Sequence, residues 1–257
     1  MTKLARIMVA PNGARRGKAD HPALPVTIAE TVRAAVSCYE AGAGAIHAHV
    51  RDAEGRHVLD AGLYRELIGE LASAVPDMAV QITTEAVGRY SPADQRELVR
   101  DVMPAHVSVA LREMLPDDGE RVASRDFYHW AADAGMKVQH ILYEAADLAS
   151  LFSLIGEGVI PAGSLQVLFV LGRYTEGQQS EVADMDPFLA ELGLRDGIEE
   201  VDWALCAFGR NETDCLVEAI RRGGKARIGF ENNLLNRDGL VATDNAERVR
   251  ELVAAIR

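Results

Sequence analysis

Eight short apolar runs, most of them rich in β-branched residues, recur along this chain, and a longer amphipathic stretch follows each one. They occupy residues 7–11, 45–52, 79–86, 106–113, 137–144, 165–172, 201–209 and 225–232. Parallel strands cannot be joined by tight turns and need a crossover of a dozen or more residues. Runs of strand length separated by helix-length segments therefore predict a parallel sheet with helical crossovers. Eight such units in 257 residues is the size of a (β/α)8 barrel. The expected fold is α/β, a (β/α)8 TIM barrel, with residues 1–257 forming one domain and no internal linker. A doubly wound open sheet is the runner-up, but P-N-G-A-R-R-G after the first run lacks the G-x-G-x-x-G phosphate fingerprint.

The helix boundaries carry local signals. Thr27 with Glu30 three residues later forms a capping-box pattern before residues 28–41, and Asp60 stands before a helix ending at 74. Other starts are expected after Ser91, Asp126, Ala145, Ser180, Glu212 and Asp244. Gly42, Gly135, Gly156, Gly193 and Gly223 fall near the predicted ends, where a left-handed cap favours a residue without a Cβ.

Composition narrows the function classes. A chain that is 48% hydrophobic can bury a sizeable core. A net charge of −12 argues against nonspecific binding to nucleic acid or anionic membranes, so an anionic substrate would need local arginines. The three cysteines, Cys38, Cys206 and Cys215, form no C-x-x-C pair and suggest a reducing, cytoplasmic setting. The opening segment is broken too early by Pro11 to read as a signal peptide, and no apolar run reaches the length of a membrane span.

In a barrel of this kind, active sites gather at the C-terminal ends of the strands. The second run ends in H-x-H-x-R-D, at His47, His49, Arg51 and Asp52, and the last in R-x-G-x-E, at Arg227, Gly229 and Glu231. If both are strands, alternation places His47, His49 and Arg51 on one face and Arg227, Gly229 and Glu231 on another. Two imidazoles and a carboxylate are the ligand set of a catalytic zinc site with one open position. Other polar residues at strand ends are Thr83, Thr84, Glu85, Arg112, Glu113, Glu144, Arg210 and Asn232. Asp52 is expected to orient an imidazole or pair with Arg51. The bland alternative for Arg227 is a salt bridge to Glu231. For His140 it is a core role, and His21, His57, His106 and His129 show no ligand spacing. Trp130, Trp203 and Phe208 read as packing residues.

Beyond these patterns, P-N-G-A with the later P-x-L-P-x-T, the strand H-A-H-V-R-D, the T-T after the third run, V-L-G, F-G-R and R-I-G-F-E-N-N together resemble the β-keto acid cleavage enzymes, a group that includes the 3-keto-5-aminohexanoate cleavage enzymes. The likeness runs nearly end to end and marks a divergent member. It implies a zinc-dependent, homo-oligomeric barrel, usually a tetramer, that converts a β-keto acid plus acetyl-CoA into acetoacetate plus a new CoA thioester. By position it places the zinc ligands on His47, His49 and Glu231, the arginine of a general-base dyad on Arg227, and a hydroxyl for the keto-acid carboxylate on Thr83. The chain departs from the family in the pocket. Asn232 replaces the aspartate partnered with the arginine, T-T-E-A replaces a glycine pair, A-L-R-E replaces N-x-G-S, and Q-H-I-L-Y replaces P-E-x-E.

The missing aspartate leaves the proton acceptor open. Arg227 is charged at ordinary pH and Asn232 offers only an amide, so Glu85, Glu113 or Glu144, raised by burial, is expected to serve as base. The substrate-binding candidates are Thr83, Thr84, Glu85, Arg112 and Glu113, and Arg15 and Arg16 are candidates for the CoA phosphates. Two alternatives remain: a zinc hydrolase on the same fold, and a metal-dependent ligand-binding relative that has lost its base.

Overall fold

The computed structural model describes residues 3–193 and 201–257. Eight parallel strands, β1 (Ile7–Val9), β2 (Ala45–Ala48), β3 (Ala79–Thr83), β4 (His106–Ala110), β5 (Lys137–Leu142), β6 (Leu165–Leu171), β7 (Val201–Ala207) and β8 (Lys225–Ile228), close into a barrel in sequence order. β8 completes the ring on β1, with Met8 opposite Arg227 and Val9 opposite Ile228. The crossovers carry α1 (Ile28–Ala41), α2 (Ala61–Ala74), α3 (Pro92–Val102), α4 (Leu111–Met114), α5 (Arg121–Asp133), α6 (Ala145–Gly156), α7 (Asp186–Gly193), α8 (Glu212–Arg221) and α9 (Asn245–Ala255). Among the described residues, no helix is long and apolar enough to cross a membrane.

Caps set the helix starts where side-chain oxygens accept orphan backbone N–H groups. The Thr27 hydroxyl accepts from Glu30 N while the Glu30 carboxylate accepts from Thr27 N, and Ser91 and Asp94 make the same reciprocal pair for α3. Asp60 and Asp244 cap α2 and α9. Three expectations need correction. α5 begins at Arg121, one turn ahead of Asp126, because a short 3-10 turn at Asp118–Glu120 leads into it. Gly156 is still helical in α6, and the left-handed residue is Gly158. After Ser180 the chain first makes a 3-10 turn at Val182–Met185 before α7, and residues 194–200, just past Gly193, lie outside the described residues.

The main core lies between barrel and helices, where outward strand residues such as Ile46, Ile82, Val107 and Leu205 meet Tyr64, Leu67, Phe127 and Leu216. Inside the barrel the buried polar residues Gln81, Ser108, Gln139 and Gln166 stand beside a smaller apolar cluster of Leu168, Val170, Ala204 and Cys206. Burying an amide costs free energy unless it is hydrogen-bonded. Gln81 Nε2 donates to Gln139 Oε1 at 3.0 Å, and Gln139 Nε2 donates to Val167 O at 3.2 Å. This amide chain ends at the foot of the site.

Candidate metal centre and pocket

β2 lifts His47 into the barrel mouth, and His49 follows one residue past the strand end. The alternation argument does not reach Glu231. β8 stops at Ile228, and Gly229 (φ 144°) turns the chain so that the Asn232 and Asn233 N–H groups both return to Gly229 O. A Cβ at Gly229 would stand 2.4 Å from Ala10 O, so only glycine fits this turn. Glu231 N then donates to Ala10 O, and Phe230 N donates to Asn245 Oδ1, which fixes the segment against β1 and α9. Glu212, buried beneath the turn and paired with Arg248, accepts from Gly229 N.

These segments bring His47, His49 and Glu231 together. The two Nε2 atoms are 3.2 Å apart, and Glu231 Oε2 is 3.6 Å from each. Tetrahedral zinc with bond lengths of about 2.0–2.2 Å places neighbouring ligand atoms roughly 3.3–3.5 Å apart. The spacing therefore suits one small cation among three donors. Proton placement agrees. His47 Nδ1 lies 2.8 Å from Gln81 Oε1, which can only accept because Gln81 Nε2 is the end that donates to Gln139. His47 is thus protonated on Nδ1 and turns the Nε2 lone pair toward Glu231. Glu231 Oε2 is buried and has no hydrogen-bond partner. Two imidazole nitrogens and an unpaired carboxylate oxygen facing one point form a donor set that could hold one small cation.

Arg227 stands beside this triad. Its Nη2 donates to Glu231 Oε1 at 3.3 Å and to Cys206 Sγ at 3.5 Å, while its Nε and Nη1 are buried and unpartnered. Burial works against its charge, but Cys206 and Glu231 more than compensate and raise its pKa above the ordinary value. Burial likewise opposes ionisation of Glu231, yet Arg227, His47 and His49 hold its carboxyl well below the usual range.

One cavity opens over His47, Arg227 and Glu231 and is also lined by Thr83, Glu85, Ser108, Glu113, Tyr143, Arg173 and Phe208. Glu113 lies on α4 rather than on a strand, and its Oε2 accepts from Ala86 N at 3.0 Å. Burial pushes its carboxyl above the ordinary value, and Glu85 adds to the rise. Glu85 sits 3.9 Å from His49 Nδ1 and 4.0 Å from Arg173 Nη2.

Several sequence candidates stand elsewhere. Glu144 begins α6 with a side chain 68% exposed, so the burial expected to raise it is absent. Arg112 is held by Asp147 at 2.7 Å and lies over the Tyr143 ring, outside the cavity lining. Thr84 is buried and donates to Ser108 O. Asp52 accepts from Glu54 N, Arg56 N and Arg56 Nε, so it builds a turn rather than orienting an imidazole. Asn232 is fully buried with both amide atoms unpaired, and it does not line the cavity. Arg16 donates to the carbonyls of Phe230 and Glu231, while Arg15 is exposed at the mouth.

Sequence reasoning missed Arg173, Tyr143 and Ser108, and it assigned Phe208 to packing alone. Arg173 follows Gly172 at a strand end and could have been found by the rule that located the others.

The sequence pattern of beta-keto acid cleavage enzymes matches residues 5–257. The chain belongs to the β-keto acid cleavage enzyme family. It is 26% identical to the 3-keto-5-aminohexanoate cleavage enzyme of Fusobacterium nucleatum subsp. nucleatum over 247 residues, spanning 94% of this chain and 87% of that enzyme. It is also 26% identical to the 3-oxoadipate:acetyl-CoA acetyltransferase of Cupriavidus necator over 259 residues, or 99% of this chain and 89% of the relative. As a β-keto acid cleavage family member it shares its fold with ObcA in complex with oxaloacetate, at a TM-score of 0.72 and 14% identity over 91% of this chain and 63% of that one. A type I 3-dehydroquinate dehydratase from Clostridium difficile gives a TM-score of 0.63 at 12% identity, with 99% and 92% covered.

Proposed function

We propose that this family member is a zinc-dependent enzyme that joins a β-keto acid with acetyl-CoA and releases acetoacetate and a new CoA thioester. The observation that carries the reading is the convergence of His47, His49 and Glu231 on one point beside the two unpartnered nitrogens of Arg227, Nε and Nη1. The names of the relatives, which include a keto-acid cleavage enzyme and an acetyl-CoA acetyltransferase, support it.

A zinc ion held by His47, His49 and Glu231 would supply a Lewis acid that polarises a keto oxygen. The remaining work falls to the chain's own groups. Arg227 stays charged, and its unpartnered Nε and Nη1, which point to different sides of the guanidinium, offer single charge-assisted contacts to the keto-acid carboxylate. Thr83 Oγ1 accepts from Glu85 N at 3.1 Å and retains its own proton for a carboxylate oxygen. Glu113 takes the proton from C2 of the keto acid, since burial raises its pKa and Glu144 is too exposed for the task. The C2 carbanion bonds to the acetyl carbon and CoA thiolate leaves. That thiolate adds to C3, the C2–C3 bond breaks, and the proton returns to C2 as acetoacetate departs. Glu85 stands within the same cavity as the alternative proton acceptor, and Arg15 would meet the CoA phosphates at the mouth.

The test is to incubate zinc-loaded protein with a panel of β-keto acids with and without acetyl-CoA, measuring acetoacetate and the product thioester. Turnover that requires acetyl-CoA is expected. Turnover in water alone would indicate a hydrolase, and ligand binding without carbon–carbon cleavage would indicate a relative that lost its base with Asn232.

A further inference from the structure

His57 has no ligand spacing in the sequence, yet the structure sets it against a metal-ligand candidate. Beyond β2 the chain runs through His49 and Arg51, turns at Asp52–Gly55 and returns, so that Arg51 pairs with His57 and Val58 N reaches Val50 O. This small hairpin places the His57 ring 4.9 Å from that of His49, with their Nδ1 atoms 3.4 Å apart. His57 is 3% exposed. Its Nε2 lies 3.0 Å from Glu85 O, which can only accept, so the ring proton resides on Nε2 and Nδ1 carries the lone pair. That lone pair accepts from His49 Nδ1–H. His49 is then left with its Nε2 lone pair facing Glu231, as His47 is by way of Gln81.

We propose that His57 is a positioning residue that fixes the ring orientation and tautomer of His49, and so raises the affinity of the His47–His49–Glu231 set for a divalent cation. The inference rests on the proposed metal centre. It adds a physical link between that centre and the cavity wall, because His57 is tied to the segment that carries Glu85. Its Nε2 donates to Glu85 O, its own carbonyl accepts from Arg89 Nη2, and its ring meets Tyr90 edge-on at 6.3 Å. Groups that orient metal-binding imidazoles commonly contribute about 10–100-fold in metal affinity. The Gln81–Gln139 chain performs this task for His47 with amides, and His57 performs it for His49 with a third imidazole.

The experiment measures zinc dissociation constants by chelator competition for the wild-type chain, His57→Phe and His57→Gln, with no substrate present. His57→Phe keeps a ring but loses both nitrogens, and about a 10–100-fold weakening is expected. His57→Gln can accept from His49 and donate to Glu85 O, and it should recover most of that loss. Equal zinc affinity in wild type and His57→Phe overturns the proposal, and so does an equal loss in the Phe and Gln variants, which would signify packing alone. If the wild-type chain itself binds no zinc, the metal reading fails and this inference falls with it, an outcome distinct from the other two.

Discussion

Replacing Gly229 by alanine probes the turn that delivers Glu231. The φ of 144° is one that residues with a side chain rarely adopt, and holding alanine there costs about 1–3 kcal/mol. The added Cβ would meet Ala10 O at 2.4 Å, Ala10 C at 2.9 Å and Asn245 Oδ1 at 3.0 Å. The first two are backbone atoms at the end of β1, so relief requires β1 and β8 to separate, and forced overpacking of this kind typically adds about 1–3 kcal/mol. The sum, roughly 2–6 kcal/mol, corresponds to a loss of about 4–24 °C in Tm for a chain of this size. Gly223→Ala is the matched control. Gly223 also has positive φ, 90°, but nothing lies within 4 Å of its added Cβ, so only the backbone term of about 1–2 kcal/mol applies. Thermal unfolding of both variants, followed by circular dichroism alongside zinc titration, decides the matter. Gly229→Ala should melt well below Gly223→Ala and bind zinc more weakly. Equal melting of the two, with zinc binding intact in both, would refute the reasoning.

Three further outcomes are expected. Gly13→Ala places a Cβ 2.6 Å from Glu231 Cγ, so it should weaken zinc binding by about 10-fold or more while costing only about 1–2 kcal/mol of stability, as read by chelator competition and thermal melts. Glu113 must be ionised to accept a proton, so kcat/KM should rise with pH on an acid limb above the ordinary carboxyl value of 4.5, and Glu113→Gln should abolish that limb together with most activity; an unchanged profile would remove Glu113 as base. Burial opposes ionisation of Glu30, but Lys18 and the Val26 and Thr27 N–H groups together outweigh it and bring its carboxyl down to about 2. A lowered folded pKa adds stability that is fully present above the unfolded value near 4.5 and is lost as pH falls through about 2. Glu30→Gln should therefore be about 1 kcal/mol less stable at neutral pH and converge with wild type in acid, as measured by denaturant unfolding across pH.

Much of this architecture was legible because strand starts and helix caps are local. The eight predicted runs begin at the residues where the eight strands begin, and Thr27, Asp60, Ser91 and Asp244 cap as their chemistry suggested. The strand ends were not legible. Hydrophobic patterning continues past the last ladder bond, through Leu111 after β4 and Tyr143 after β5, although the backbone has already turned. That is why Arg112 and Glu113 sit on a helical turn and diverge, one toward Asp147 and the other into the cavity. His47 and His49 were found by spacing, and Glu231 by its chemistry and the family likeness, although the alternation argument for it fails at Gly229. His57 reaches the site through a hairpin that returns to the end of β2, and no spacing in the chain announces it, whereas Tyr143, like Arg173, stands at a strand end.

The most direct test of the account is the metal content of the purified chain after exhaustive dialysis, measured by elemental analysis for wild type and Glu231→Ala. One zinc ion per wild-type chain, lost on removing the Glu231 carboxylate, is the expected result. Absence of a stoichiometric divalent ion from wild type, or its full retention in Glu231→Ala, would contradict the account.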